Sequence, residues 1–505
     1  MKILIIIFLF IPLIAGLCSF VLKNKRVSEA LTFISSIVSL SISVAFLIYL
    51  MSERGSAGVI SIFNNAVVID KFSAYIVLLV ALIYFLSSMY SISYMKLAVK
   101  NESVTDSEFF RYYLLINLFA LTMLVAPILN NMALYLIDIE LTTITSSFLV
   151  ITEITEKSIE AAWKYIVVVS SGISLALLGT VLFYLSGNLH GIYGLHVSSL
   201  DWTVLSAHSA YLNKDLVKIA FILIVIGLGT KVGLAPMHTW VPDAYSEAPS
   251  PVSAMLAASL ENVALYGIIR YFNIAGGSTG FNYPETVLVI AGIFSIFVGI
   301  MGIINQNSTK RLFAYSSIEQ MGIISLGFGL GGVFGTFGAL FQMLAHSLSK
   351  PIMFYGSGNL LHKYKTKEIK NIKGVIYTMP KTAFLYIAGA LTLVGAPPSA
   401  AFIGEFLILL ESFKKSDYFI SALLIILLIA AFIAILAKIN SMIFGVSGEN
   451  ANIYDANNVQ LKRGDFGPAS LVPMAIPLIL TIFLGLYIPS PLKSFLDGIV
   501  RIIIK

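Results

Sequence analysis

Stretches of about twenty apolar residues recur from one end of this chain to the other, joined by short connections, and each is long enough to cross the hydrocarbon of a bilayer as a helix. We read about fourteen spans. They lie near 3–22, 28–50, 73–92, 112–130, 131–151, 164–186, 216–238, 252–272, 286–305, 312–330, 334–360, 383–411, 418–446 and 470–490. Of the 505 residues only 11% are charged, against about a quarter in soluble domains. The expected fold is an all-α integral membrane protein. The longest polar stretches, Gly187 to Asp215, Asn273 to Glu285 and Gly448 to Gly467, are each too short to build a core of their own.

Met1 to Leu22 has one lysine at its start, no small-residue cleavage pattern, and Lys23, Lys25 and Arg26 behind it, so it reads as a retained first span with the N-terminus outside. Counting onward, the inside connections receive Lys96, Lys100, Arg111, Lys310, Arg311 and the cluster Lys363, Lys365, Lys367, Lys370 and Lys373. The formal charge of +6 therefore follows from topology in a cell membrane, and no run of basic and aromatic residues points to nucleic acid. Cys18 is the single cysteine, which excludes an iron–sulfur ligand set, a CxxC pair or an internal disulfide; it reads as a small apolar residue of the first span. His190, His196 and His208 sit in or beside a polar loop, and no histidine stands at ligand spacing from His346, so no metal site is expected.

Two spans carry both a buried charge and helix breakers: the seventh, from Lys231 to Pro236, and the twelfth, from Gly395, Pro397 and Pro398 to Glu405. Proline frees a carbonyl from the helical ladder, which a membrane tolerates only where protein or a wet cavity receives it. Interrupted spans at matching places in two halves point to a transport site. An offset of five spans makes each repeat five helices long, 112–273 and 286–446, and an odd number turns the copies upside down relative to one another. Residues 1–111 then hold the first three spans, and 447–505 a loop and the last span.

A charge at the bilayer centre costs about 2.5–3.5 kcal/mol on the lenient scale, and this chain repeats that cost at Glu140, Lys231, Glu261, Lys350 and Glu405. Glu140 lies at mid-depth in the fifth span, where a carboxylate takes up a proton or seeks a cation; Asp138, two residues earlier, points the opposite way on a helix. A static ion pair is the alternative for Glu140, and an interfacial or structural role for Asp138. Lys231 is the strongest candidate for a proton carrier, because burial opposes its charged form while a nearby carboxylate favours it. The other reading, a lysine snorkelling to the interface, sits poorly with Pro236 and Trp240 ending the span several residues later.

His346 and Lys350 stand four residues apart and share one helical face, a spacing suited to a relay. Glu405 follows the second break as an exit-side or terminal carboxylate, and Glu319 takes in the tenth span the place of Glu140 in the fifth, but nearer the surface. Glu261 and Asn262 in the eighth span bridge the halves, either by carrying a proton or by ordering water; Glu261 has Arg270 and Lys231 as alternative structural partners.

Several motifs cover most of residues 110–410: Ile139-Glu140-Leu141, Ala162-Trp163-Lys164-Tyr165, Lys231 through Pro236, His238, Trp240, Pro242, Asp243 and Ala244, then Pro249, Pro251 and Ser253, Lys310-Arg311 with Tyr315 and Ser317, and His346 to Lys350. This set resembles the antiporter-like membrane subunits shared by respiratory complex I, Mrp-type Na⁺/H⁺ antiporters and membrane-bound NiFe hydrogenases. Glu140 to Thr143, Trp163 to Tyr165 and Ser317 to Gly322 are most similar to the hydrogenase-4 component F and formate hydrogenlyase branch.

The resemblance implies proton translocation, with Glu140 modulating Lys231 and Lys350 linking onward to Glu405, and it adds Lys164, His238 and Glu319 as secondary candidates. It also implies further antiporter-like and small membrane subunits and a peripheral redox module as partners. NiFe and iron–sulfur clusters belong to those partners, with no cofactor in this chain. Asn262 stands where many complex I relatives carry a lysine, which leaves water or Glu261 to fill the relay. An Mrp-type Na⁺/H⁺ antiporter subunit and an NADH/quinone oxidoreductase membrane subunit are the alternatives, with a scaffold that retains these charges without transport as a third. The coupled ion, H⁺ or Na⁺, is left open.

Overall fold

The computed structural model describes residues 2–52, 58–188, 199–445 and 453–504; His190 and His196 lie outside them. The helices run α1 (Lys2–Leu22), α2 (Lys25–Met51), α3 (Lys71–Lys100), α4 (Asp106–Val125), α5 (Met132–Val150), α6 (Glu156–Asn188), α7 (Lys214–Val232) and α8 (Ser250–Thr279). They continue as α9 (Asn282–Asn305), α10 (Thr309–Leu330), α11 (Gly332–Tyr364), α12 (Pro380–Leu393), α13 (Ala400–Lys414), α14 (Tyr418–Phe444), α15 (Pro468–Leu486) and α16 (Ser490–Ile503).

Among the described residues, ten helices are long and apolar enough to cross a membrane: α1 to α6, α8, α9, α14 and α15. The other four expected spans fall on α7, α10, α11 and the pair α12 and α13, which carry Lys231, Glu319, Lys350 and Glu405. In α7 and α10 charged and polar residues lower the apolarity, whereas the break leaves α12 and α13 with only 14 and 15 residues each. Long apolar side chains such as Ile3, Ile426 and Phe419 face outward, while serines, threonines and tyrosines fill the interior. That pattern suits a solvent of lipid, in which interior hydroxyls find partners in neighbouring helices. Tyr75 donates to Leu340 O at 2.6 Å and Tyr90 to Tyr355 O at 2.8 Å, pinning α3 to α11.

The span boundaries have local causes. Asn131 caps α5 by accepting from Ala133 N and Leu134 N, just after the turn that contains Pro127. Gly331 separates α10 from α11, and both it and Gly332, the first residue of α11, stand at positive φ. One face of the bundle holds a cluster of basic groups, where Lys25 pairs with Asp106, Lys96 with Glu29, and Lys367 with Glu247.

Two elements were not legible in the sequence. An antiparallel hairpin, β1 (Val59–Ile62) and β2 (Val67–Asp70), leads into α3. Behind the last expected span, α16 lays Phe495, Leu496, Ile499, Val500 and Ile503 against α11 and α3, and Ile502 O accepts from Asn273 on α8. The hairpin joins a buried anchor: Asp70 caps α3 through Ser73 N and pairs with Arg270 of α8 at 2.6 Å, with the guanidinium lying over Trp202, 3.9 Å from its centroid.

Candidate functional site

The seventh span breaks where the sequence places the break. Gly233 ends α7 in the left-handed region at φ +85, and Leu234 N returns to Gly229 O at 2.8 Å. Trp240 Nε1 donates to Thr230 O at 2.8 Å, so a carbonyl freed by the break finds a protein donor. Lys231 is fully buried in this last turn, where the negative end of the helix dipole favours a cation.

The Lys231 ammonium donates to two neutral hydroxyls, Thr143 Oγ1 at 2.8 Å and Tyr165 Oη at 2.7 Å. Glu140 is not in contact with it: Glu140 Oε1 accepts from Ser170 of α6, and its Oε2 is buried with no protein partner. Thr143 and Tyr165, and not Glu140, are thus the hydrogen-bond partners of Lys231. Asp138 is buried too, with Oδ2 unpartnered.

From Lys231 the polar row continues through an aromatic wall. Tyr165 stacks on Trp240 with centroids 4.3 Å apart, Trp240 meets Tyr245 edge-on at 5.8 Å, and Tyr245 donates to Glu261 Oε1 at 2.6 Å. Glu261 opens the second part of α8, directly after a π-helical segment from Leu256 to Leu260. A π segment shifts backbone hydrogen bonds and leaves carbonyls for other donors. Here Ala257 O faces His346 Nε2 at 3.0 Å, while Ala258 O accepts from Asn262 Nδ2 at 3.0 Å and from Ser347 Oγ at 2.8 Å. Asn262 also donates to Ser347 Oγ at 2.9 Å.

His346 Nε2 lies 3.2 Å from Glu261 Oε2. The shared face of His346 and Lys350 holds, but the two side chains part company: His346 turns to α8, whereas Lys350 donates to Phe313 O at 2.8 Å and to Ser316 Oγ on α10. The alternative partners for Glu261 do not hold, because Arg270 is engaged by Asp70 and Lys231 by hydroxyls.

The last cluster forms at the second break. Gly395, at φ +69, sits so close to Glu405 that a Cβ there would lie 2.2 Å from Oε2. Glu405 Oε1 lies 3.4 Å from Gln320 Nε2 and 3.3 Å from Gln342 Nε2. Gln320 Nε2 also lies 3.4 Å from Glu319 Oε1 and 3.4 Å from Leu393 O, a carbonyl at the break. Glu319 is thus buried beside Glu405, not nearer the surface as its place in the tenth span suggested, because α10 runs through the interior between α9 and α11.

Lys164 and His238 stand apart from this row. Lys164 is half-exposed and pairs with Glu160 at 2.6 Å and Asp243 at 3.4 Å. His238 is partly exposed in the break, near Tyr315. Lys164 and Asp243 line a cavity of about 480 Å³ on the basic face, with Arg311, Glu247 and Lys367. Burial raises the Glu247 carboxyl, but Lys367 and then Lys310 outweigh it and hold Glu247 below its ordinary range. Sequence reasoning gave no role to Tyr165, Tyr245, Gln320 or Gln342; the amides offered a signal, being polar side chains inside apolar spans, whereas a tyrosine in such a span looks ordinary.

The described helices and the buried row define an antiporter-like, multi-pass membrane subunit. The family model described as NADH:quinone oxidoreductase/Mrp antiporter, TM, matches residues 129–434, and the chain belongs to that family. A hydrogenase-4 component F homolog of Methylacidiphilum infernorum (isolate V4) is 32% identical over 480 residues, covering 95% of each protein. Hydrogenase-4 component B of Escherichia coli (strain K12) is 29% identical over 348 residues, 66% of this chain and 49% of that one. In fold, the chain is similar to one from the membrane-bound sulfane sulfur reductase, an archaeal respiratory membrane complex, with TM-score 0.85, 23% identity and 99% and 97% of the two chains covered. It is also similar to a chain of the Mrp complex from Dietzia sp. DQ12-45-1b, with TM-score 0.82, 20% identity and 100% of both chains covered.

Proposed function

We propose that this chain translocates protons as a membrane subunit of a multi-subunit redox complex, along the row Glu140, Lys231, Glu261, His346, Lys350, Glu319 and Glu405, with Asn262 holding Ser347 in the middle of the row. The observation that carries this reading is a row of hydrogen-bonded clusters of titratable and hydroxyl groups in both halves, from the half-buried Ser170 and Glu140 on α6 and α5, through the buried Lys231, Glu261, His346 and Lys350, to the buried Glu405 on α13. Glu140 Oε2, Ser259 Oγ, Asn262 Oδ1, Ser317 Oγ and His346 Nδ1 are buried without protein partners. Such groups call for hydrogen-bond partners, which ordered water supplies in a proton path.

The basic face is cytoplasmic by the positive-inside rule, which puts the N-terminus outside the cell membrane. The halves 112–273 and 286–446 form inverted repeats, so that the α7 break and the α12–α13 break open toward opposite sides. Moving a proton against 100 mV costs about 2.3 kcal/mol, supplied through a partner redox module that holds the NiFe or iron–sulfur groups.

The test is proton uptake by proteoliposomes containing the complex purified from its native membrane, ratioed to electrons delivered from reduced methyl viologen, with ²²Na⁺ uptake followed in parallel. Lys231→Ala is expected to lose at least nine-tenths of the uptake with the complex assembled. Wild-type uptake by that variant, or sodium uptake in place of proton uptake, sinks the reading.

A further inference from the structure

On the basis of this proton-path reading, we propose that Glu411 is the proton-releasing carboxylate on the face opposite the basic one, and that Ile408 is the apolar plug separating it from Glu405. The three residues lie on one buried stripe of α13: Glu405, Ile408 and Glu411 turn inward, while Phe402, Phe406, Leu410 and Phe413 turn toward lipid. Six residues of helix carry the stripe about 9 Å along the axis, from the inner cluster of Gln320 and Gln342 to the end of the bundle.

Glu411 is buried, with 2% of its surface exposed, inside a span where a carboxylate is costly. Its Oε2 accepts from Phe334 N at 3.0 Å, at the beginning of α11. Gly332 leaves the space it occupies, since a Cβ at that position would lie 2.2 Å from Oε1. The polar end of the bundle is close by: Lys414 Nζ stands 5.3 Å from the Phe334 ring centroid, and Lys415 pairs with Glu285 at 3.1 Å. Glu411 thus lies between the surface cations and the interior.

Ile408 fills the interval between the carboxylates. It is fully buried, and a Cβ added at Gly338 or Gly327 would lie 3.0 Å and 2.9 Å from its side chain. An aliphatic side chain packed against glycines in this way leaves no hydrogen-bonded route past it, the arrangement by which apolar constrictions stop ions until they are wetted. Release then requires α13 to move away from α10 and α11, and the break at Gly395 to Ser399 supplies the joint on which a half-helix can move.

A cap on α11 is the purely structural role open to Glu411, and Glu411→Gln keeps it, because an amide oxygen still accepts from Phe334 N while the side chain no longer carries a proton. In the same proteoliposomes, E411Q is expected to lower protons per electron at least fivefold in an assembled complex. I408S is expected to raise passive proton leak at least fivefold under an imposed potassium diffusion potential. Wild-type pumping by E411Q, or a wild-type leak through I408S, overturns the proposal, and I408S decides alone if E411Q does not assemble. E405Q separates the two levels: if it too pumps like wild type, the proton path itself is wrong, whereas its failure beside a fully active E411Q removes only Glu411.

Discussion

His346 Nε2 stands 3.2 Å from Glu261 Oε2 and 3.0 Å from Ala257 O, so one ring nitrogen faces two acceptors across the interface of α11 and α8. That nitrogen must carry the hydrogen, which leaves Nδ1, buried and without a protein partner, as the atom able to receive a proton. Glu261 meanwhile accepts from Tyr245, so it joins the aromatic wall of the first half to the histidine of the second.

Glu261→Gln tests that junction. The amide oxygen can still accept from Tyr245, but the amide nitrogen then faces the Nε2 hydrogen of His346, donor against donor. We expect an assembled complex whose proton uptake per electron falls at least tenfold, measured in proteoliposomes. Unchanged uptake would show that the row does not pass through α8.

Gly395→Ala strikes the second break in two ways. A residue with a Cβ at φ +69 costs about 1–2 kcal/mol, and the added carbon would lie 2.2 Å from Glu405 Oε2. The expected outcome is a lower unfolding temperature in detergent together with pumping lowered toward the level of E405Q. A stable, fully coupled variant would mean that Glu405 has room to leave the break without consequence.

Arg270→Met removes the cation from Asp70 and strands a buried carboxylate. Breaking such a pair costs about 3–5 kcal/mol, read as a large drop in unfolding temperature. Adding Asp70→Asn should recover much of the loss, since the amide oxygen still caps α3 through Ser73 N but carries no charge. Equal stability of the single and double variants would locate the energy in the packing of the guanidinium on Trp202 instead.

The Glu247–Lys367 pair, 2.9 Å apart, sets a pH dependence on the basic face. Lys367 holds the Glu247 carboxyl below its ordinary value of 4.5 against the opposing effect of burial. A lowered carboxyl binds fewer protons folded than unfolded, so its contribution is complete above about pH 5 and is lost as pH falls through the folded value. Wild type should therefore exceed Glu247→Gln in stability by about 0.5–1 kcal/mol at neutral pH, with the margin closing on acidification. A margin that widened in acid would reverse the assignment.

The multi-span helical fold, the two breaks and the charges at 140, 231, 261, 350 and 405 were legible because a bilayer imposes a length on every apolar run and a cost on every charge within it. Those are properties of the chain and its solvent, and they act on residues one segment at a time. The tertiary structure decided the contacts: Lys231 against hydroxyls instead of Glu140, Lys350 turned to α10 while His346 turns to α8, and Glu319 at the centre beside Glu405. Each of these depends on how helices far apart in sequence are rotated against one another. The π segment from Leu256 to Leu260 is the clearest case, because Leu-Ala-Ala-Ser-Leu has the composition of an ordinary helix. Its altered hydrogen bonding is tolerated where His346 donates to Ala257 O and Asn262 and Ser347 donate to Ala258 O, and two of those three donors come from another helix.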